Sequence, residues 1–100
     1  MTLLNTTFHV HRSIDQLFIE WIKQIYIPAA QNAGLSNALF TRILADTDPE
    51  GKSSAIQLHA PTMEHATTWH DNEAAKLKDE LALRWGERVL HFTTYMEILN

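Results

Sequence analysis

The chain has no cysteine, which excludes disulfides, thiolate catalysis and cysteine-ligated zinc or iron–sulfur centres. It has no basic cluster longer than the alternate pair Lys76 and Lys78, and a net charge of −4. The positive footprint that phosphate backbones require is therefore missing, and no nucleic-acid partner is expected. No apolar run approaches the roughly 20 residues that span a bilayer. Met1 to Arg12 lack the basic and apolar regions of a signal peptide, so a cytoplasmic location is expected, with no membrane partner. Repeats, low-complexity stretches and linkers are absent too. At 100 residues, 45% of them hydrophobic, the chain reads as one domain over residues 1–100 with one modest core.

Periodicity supplies the architecture. Leu4, Thr6, Phe8 and Val10 alternate with Asn5, Thr7, His9 and His11, a half-buried strand. Ser13 and Gln16 carry a capping-box signature, with Asp15 in the positive first turn. Ile14, Leu17, Phe18, Trp21, Ile22, Ile25 and Ala29 then form one apolar helical stripe. Pro28 predicts a kink or broken turn near residues 26–30, and Gly34 a stop. A second strand spans 39–45, a polar turn 46–52, and a third strand 53–60 with Ile56 and Leu58 toward the core. Thr62 is the expected N-cap of a second helix whose seam includes Met63, Ala66, His70, Ala74, Leu77, Leu81 and Trp85, closed by Gly86. In the last strand, about 89–99, the apolar phase (Leu90, Phe92, Met96) is assigned to the core and His91, Thr93 and Tyr95 to the open face.

This order predicts an α+β, ferredoxin-like β-α-β-β-α-β fold: a four-stranded antiparallel sheet of order 4-1-3-2, with both helices on one face. The first and third strands are expected at the centre, parallel to each other. The open face would then gather Asn5, Thr7, His9, Gln57, His59, His91, Thr93 and Tyr95, a candidate ligand-binding set. Two copies packed through this face would form a homodimeric α/β barrel with a polar interior. Arg42 fits either face, because Phe40 and Leu44 share its phase.

Several segments resemble the bacterial family known as domain of unknown function 4286: Asn5 to Val10, Trp21-Ile22-Lys23 followed by Tyr26-Ile27-Pro28, Arg42-Ile43-Leu44, Gln57, Trp85 to Val89, and Phe92 to Glu97. The resemblance covers the whole chain. It implies a small bacterial cytosolic domain of the dimeric α/β-barrel type and names no activity.

The functional expectation is a homodimeric small-molecule-binding domain, with proton transfer at His9 or His59 should the ligand react. A non-catalytic interaction module is the alternative from another class, and a cofactor-free or haem-related monooxygenase a third. The third rests on a resemblance of Asn5, Trp69 and His70 to the asparagine, tryptophan and histidine used by haem-degrading and cofactor-free monooxygenases of the dimeric α/β-barrel superfamily, although adjacent helical residues diverge by about 100°; a core His70 bonded to the backbone is the plainer expectation. His9-Val10-His11 has chelating spacing, but no carboxylate or cysteine completes a first shell, so neither metal nor cofactor is expected. Asp46, Asp48, Glu50 and Gly51 mimic the start of a calcium loop, yet strands flank them and Gln57 stands where the closing glutamate belongs, so the segment reads as a hairpin turn.

Overall fold

A computed structural model describes residues 1–45 and 47–100, and it has the expected architecture. The strands are β1 (Thr2–His11), β2 (Ser36–Arg42), β3 (Gly51–Ala60) and β4 (Val89–Glu97). They pair in the order β2-β3-β1-β4. The first helical arm contains α1 (Asp15–Trp21) and α2 (Ile27–Asn32), and the second α3 (Met63–Trp69) and α4 (Ala75–Trp85). Among the described residues, no helix is long and apolar enough to cross a membrane.

The central pair corrects one expectation: β1 and β3 run antiparallel, with Leu4 opposite Leu58 and Thr6 opposite Ile56. The crossover through the first arm returns β2 parallel to β1, and the hairpin then reverses β3.

Both arms cover one face of the sheet. Leu4, Phe8, Val10, Ile56 and Leu58 are buried there against Phe18, Trp21, Ile22, Tyr26, Trp69, Leu81 and Trp85. Phe8 is fully buried, its ring centroid 5.0 Å from Phe18 and 6.0 Å from Tyr26. Each such aromatic carries a large share of the core's hydrophobic stabilisation. Trp21 and Trp85 are core anchors, as their spacing predicts.

Each arm is interrupted by one wide turn. Ile22–Tyr26 forms a π-turn, in which the Ile27 N–H reaches back to the Ile22 carbonyl. The disruption predicted from Pro28 thus lies one turn earlier, and Pro28 itself sits in the first turn of α2, where its missing N–H costs little. The second π-turn spans His70–Ala74. Thr62 caps α3 as expected, accepting from the His65 N–H at 3.0 Å. The Ser13 capping box does not form. His11 accepts from the Ser13 N–H instead, and a 3-10 turn, Arg12–Ile14, leads into α1.

Arg42 lies on the helix-covered face, where its guanidinium donates two hydrogen bonds to Asp15, at 3.1 and 2.7 Å. That fork ties the end of β2 to the start of α1. Asp46 of the calcium-like turn is outside the described residues. Asp48 accepts from the Glu50 N–H at 2.9 Å, the local bond of a turn.

Candidate functional site

The register of β4 divides the predicted ligand set between two faces. His91, Thr93 and Tyr95 stand opposite Phe8, Thr6 and Leu4, on the helix-covered side. Leu90, Phe92, Thr94 and Met96 stand opposite His9, Thr7, Asn5 and Leu3, on the open side. The sequence assignment of this strand is therefore inverted. The rule that apolar phase means core fails here because the open face itself carries apolar side chains on both edges. Phe92 is 63% exposed and Leu90 57%, and Leu39 on β2 is 54% exposed.

Between those edges runs a polar stripe from the two central strands. Asn5 donates to Thr7 Oγ1 at 3.3 Å. His9 bonds Ser53 Oγ through Nδ1 and Asp48 Oδ2 through Nε2, both at 2.7 Å. His59 Nδ1 accepts from Asn37 at 3.2 Å, and Gln57 faces Asn5 across the strands. Asn5, Thr7, His9, Gln57 and His59 are half-buried. His11 joins the same face but contacts Ser13 and Glu50. Among the described residues, no three histidines or carboxylates stand close enough to hold a metal ion.

The other three candidates line an open cleft of about 460 Å³ between β4 and the second arm, with His70, Lys78 and Asp79 opposite them. Lys78 is the residue that sequence reasoning missed. It is only 8% exposed, and among the described residues no carboxylate lies within ion-pair distance of it. Its ammonium donates to His70 Nε2 at 3.1 Å and to Thr93 Oγ1 at 3.2 Å. Thr93 also bonds the buried Thr6 across the strands, at 2.9 Å between hydroxyl oxygens. His70 Nδ1 then faces Asp71 Oδ1 at 3.1 Å, so one tautomer satisfies the row: Nδ1–H donates to Asp71 and Nε2 accepts from Lys78. The Tyr95 ring meets His70 edge-on at 5.7 Å.

The π-turn makes this row possible. Residues eight apart on an uninterrupted α-helix stand about 80° apart around its axis. One extra residue in the turn brings His70 and Lys78 back to within about 20° of a shared face. His70 is therefore not a core histidine bonded to backbone. The histidine bonded to backbone is instead the half-buried His65, whose Nε2 donates to the Ala33 carbonyl at 2.7 Å. Trp69 is buried in the core, while Asn5 lies on the opposite sheet face, so the oxygenase-like trio does not converge.

Burial sets the electrostatics of the cleft. It pushes the Lys78 amine from 10.5 down to about 8. It also lowers the His91 imidazole, with the nearby Lys78 and His70 adding to the effect. It raises the Tyr95 phenol, with the Asp71 carboxylate contributing. A second cleft, of about 480 Å³, lies between the arms and is lined by His65, Trp69 and Asn72. Its histidine is committed to the Ala33 carbonyl.

A family model described as a domain of unknown function, DUF4286, matches residues 1–99. No curated protein matches the sequence. Several solved structures share the fold. A Deinococcus radiodurans protein described as a candidate antibiotic biosynthesis monooxygenase is 13% identical with a TM-score of 0.76, covering 100% of this chain and 94% of its own. A Bacillus halodurans protein of the ethyl tert-butyl ether D family is 15% identical with a TM-score of 0.63, covering 98% of this chain and 100% of its own. A dimeric ferredoxin-like protein from an uncultured marine organism is 12% identical with a TM-score of 0.59, covering both chains fully.

Proposed function

Since this chain belongs to the DUF4286 family, whose description names no activity, we propose from its geometry that it is a homodimeric small-molecule-binding domain. The open sheet face pairs with the same face of a second copy, and the cleft behind β4 holds the ligand. The observation that carries the reading is the convergence of His70 and Thr93 on the Lys78 ammonium, at 3.1 and 3.2 Å, at the wall of an open cleft. A desolvated ammonium without a carboxylate is costly to keep, and such groups concentrate at functional sites.

Pairing is supported by the pattern of the open face. Apolar edges flank a stripe in which Asn5, Thr7, His9 and His59 already have hydrogen-bond partners, so a partner sheet would bury hydrocarbon and would have to satisfy chiefly Gln57. A neighbour of the same fold is itself described as dimeric. On this reading Asn5, Thr7, His9, Gln57 and His59 form the polar centre of the paired face, and His91, Thr93 and Tyr95 touch the ligand.

Native mass spectrometry of freshly purified protein tests both parts. The expected result is a dimer with a reproducible extra mass, and a Phe92→Glu variant that runs as a monomer. A bare wild-type monomer would overturn the reading and favour a module that docks a different chain through the same face.

A further inference from the structure

We propose that Lys78 is an amine nucleophile that condenses with a small carbonyl compound in the cleft, with His70 as its base. This rests on the cleft being the ligand site and names the chemical class it takes. Amine catalysis requires a desolvated lysine, a base within hydrogen-bond reach and a third group that orients the base. All three are present: Lys78 is nine-tenths buried, His70 Nε2 is 3.1 Å from its amine, and Asp71 Oδ1 is 3.1 Å from His70 Nδ1. Thr93 holds the amine from a second direction, which leaves one of its three hydrogens uncommitted. Burial adds to the geometry: with the amine near 8, roughly a tenth of it is neutral at pH 7, against well under a thousandth for an ordinary lysine.

The step balances without an oxidant. His70 Nε2 takes a proton from the Lys78 ammonium, and Asp71 holds the imidazolium. The freed amine forms a C–N bond to the carbonyl carbon while the C=O π electrons move to oxygen. A second proton leaves the new ammonium, and both reach the oxygen through His70. The oxygen departs as water, leaving a protonated imine on Lys78.

The chain has only four lysines, Lys23, Lys52, Lys76 and Lys78, so competition among them is a clean assay. Full-length protein is treated briefly at pH 7 with limiting propanal and sodium cyanoborohydride, then mapped by peptide mass spectrometry. Lys78 is expected to be alkylated at least about tenfold faster than exposed Lys76, given its larger neutral fraction. His70→Ala should slow Lys78 and leave Lys76 unchanged, which also reports that the fold survives. Equal or slower labelling of wild-type Lys78 overturns the proposal. Amide NMR spectra with propanal alone separate the two levels. If Thr93 and Tyr95 shift without Lys78 labelling, the nucleophile falls and the cleft stands; if neither responds, both fall.

Discussion

Replacing Lys78 with methionine removes a charge that the fold must desolvate, and the structure sets both the sign and the size of the effect. The amine titrates near 10.5 when unfolded and near 8 when folded. Between those values the unfolded chain binds more protons, so stability rises with pH from about 8 toward 10.5. Below about 8 both states are protonated and the full penalty stands. At 1.36 kcal/mol per pKa unit the ceiling is about 3 kcal/mol, and solvent entering the open cleft reduces it to about 2 kcal/mol. Methionine keeps an unbranched stem to pack but loses the bonds to His70 and Thr93, about 1 kcal/mol together. Both partners retain another contact, His70 with Asp71 and Thr93 with Thr6.

Lys78→Met should therefore be more stable than wild type at pH 7 by about 1 kcal/mol, or about 4–8 °C in Tm. It should also lose the wild-type rise between pH 8 and 10. Urea denaturation at pH 7, 8.5 and 9.5 reads both quantities, with protein concentration fixed because the proposed pairing would shift apparent stability. The comparison ends at pH 10. Above it burial keeps the Tyr26 phenol protonated up to about 12 in the fold, and Tyr95 is raised as well, so both lower stability as the unfolded tyrosines ionise. A variant that is less stable at pH 7, with the wild-type pH slope intact, would refute the desolvation argument.

Two further variants probe the frame around the cleft. Arg42→Ala strands the Asp15 carboxylate, which is 8% exposed, and should cost about 2–3 kcal/mol in denaturant melts. Arg42→Lys should recover only part of this, since a lysine cannot make the forked bond; full recovery would mean that charge alone matters. Because the folded-state value of His91 lies below the ordinary 6.5, the unfolded chain takes up its proton first as the solution is acidified. Its share of stability is therefore complete above pH 6.5 and falls as pH drops below it, so His91→Gln should flatten the stability profile between pH 6.5 and 5 relative to wild type.

The element order and the helix-covered core were legible because alternation in β1 and β3 obeys the simple period and the stripes keep Phe18, Trp21, Ile22 and Leu81 in the core. Leu17 and Ile25, expected on the first stripe, are instead 57% and 43% exposed, the latter within the π-turn that interrupts that arm. β4 misled because Leu90, Phe92 and Met96 form the stronger apolar phase and yet face outward. Alternation shows that two faces differ, and it does not show which of them the chain's own helices cover. The side of Arg42 was undetermined because Phe40 and Leu44 share its phase, although Phe40 packs on the core and Leu44 is 91% exposed. Lys78 was invisible because a lysine near the middle of a helix reads as solvent-facing, and the uniform 100° step places His70 on a different side. The two weak signals that existed were the surplus of histidines and His70 on the second helix's seam.

The His70–Ala74 turn separates spacing along the chain from alignment in space. Removing one residue from 71–74 would let the arm relax to an uninterrupted α-helix with His70 and Lys78 seven steps apart, still within about 20° of a shared face. Adding one residue between the turn and Lys78 would instead rotate the two apart by about 80°. The wide turn thus acts as a spacer that absorbs one surplus residue, and the row depends on the count from His70 to Lys78 taken together with the state of the turn.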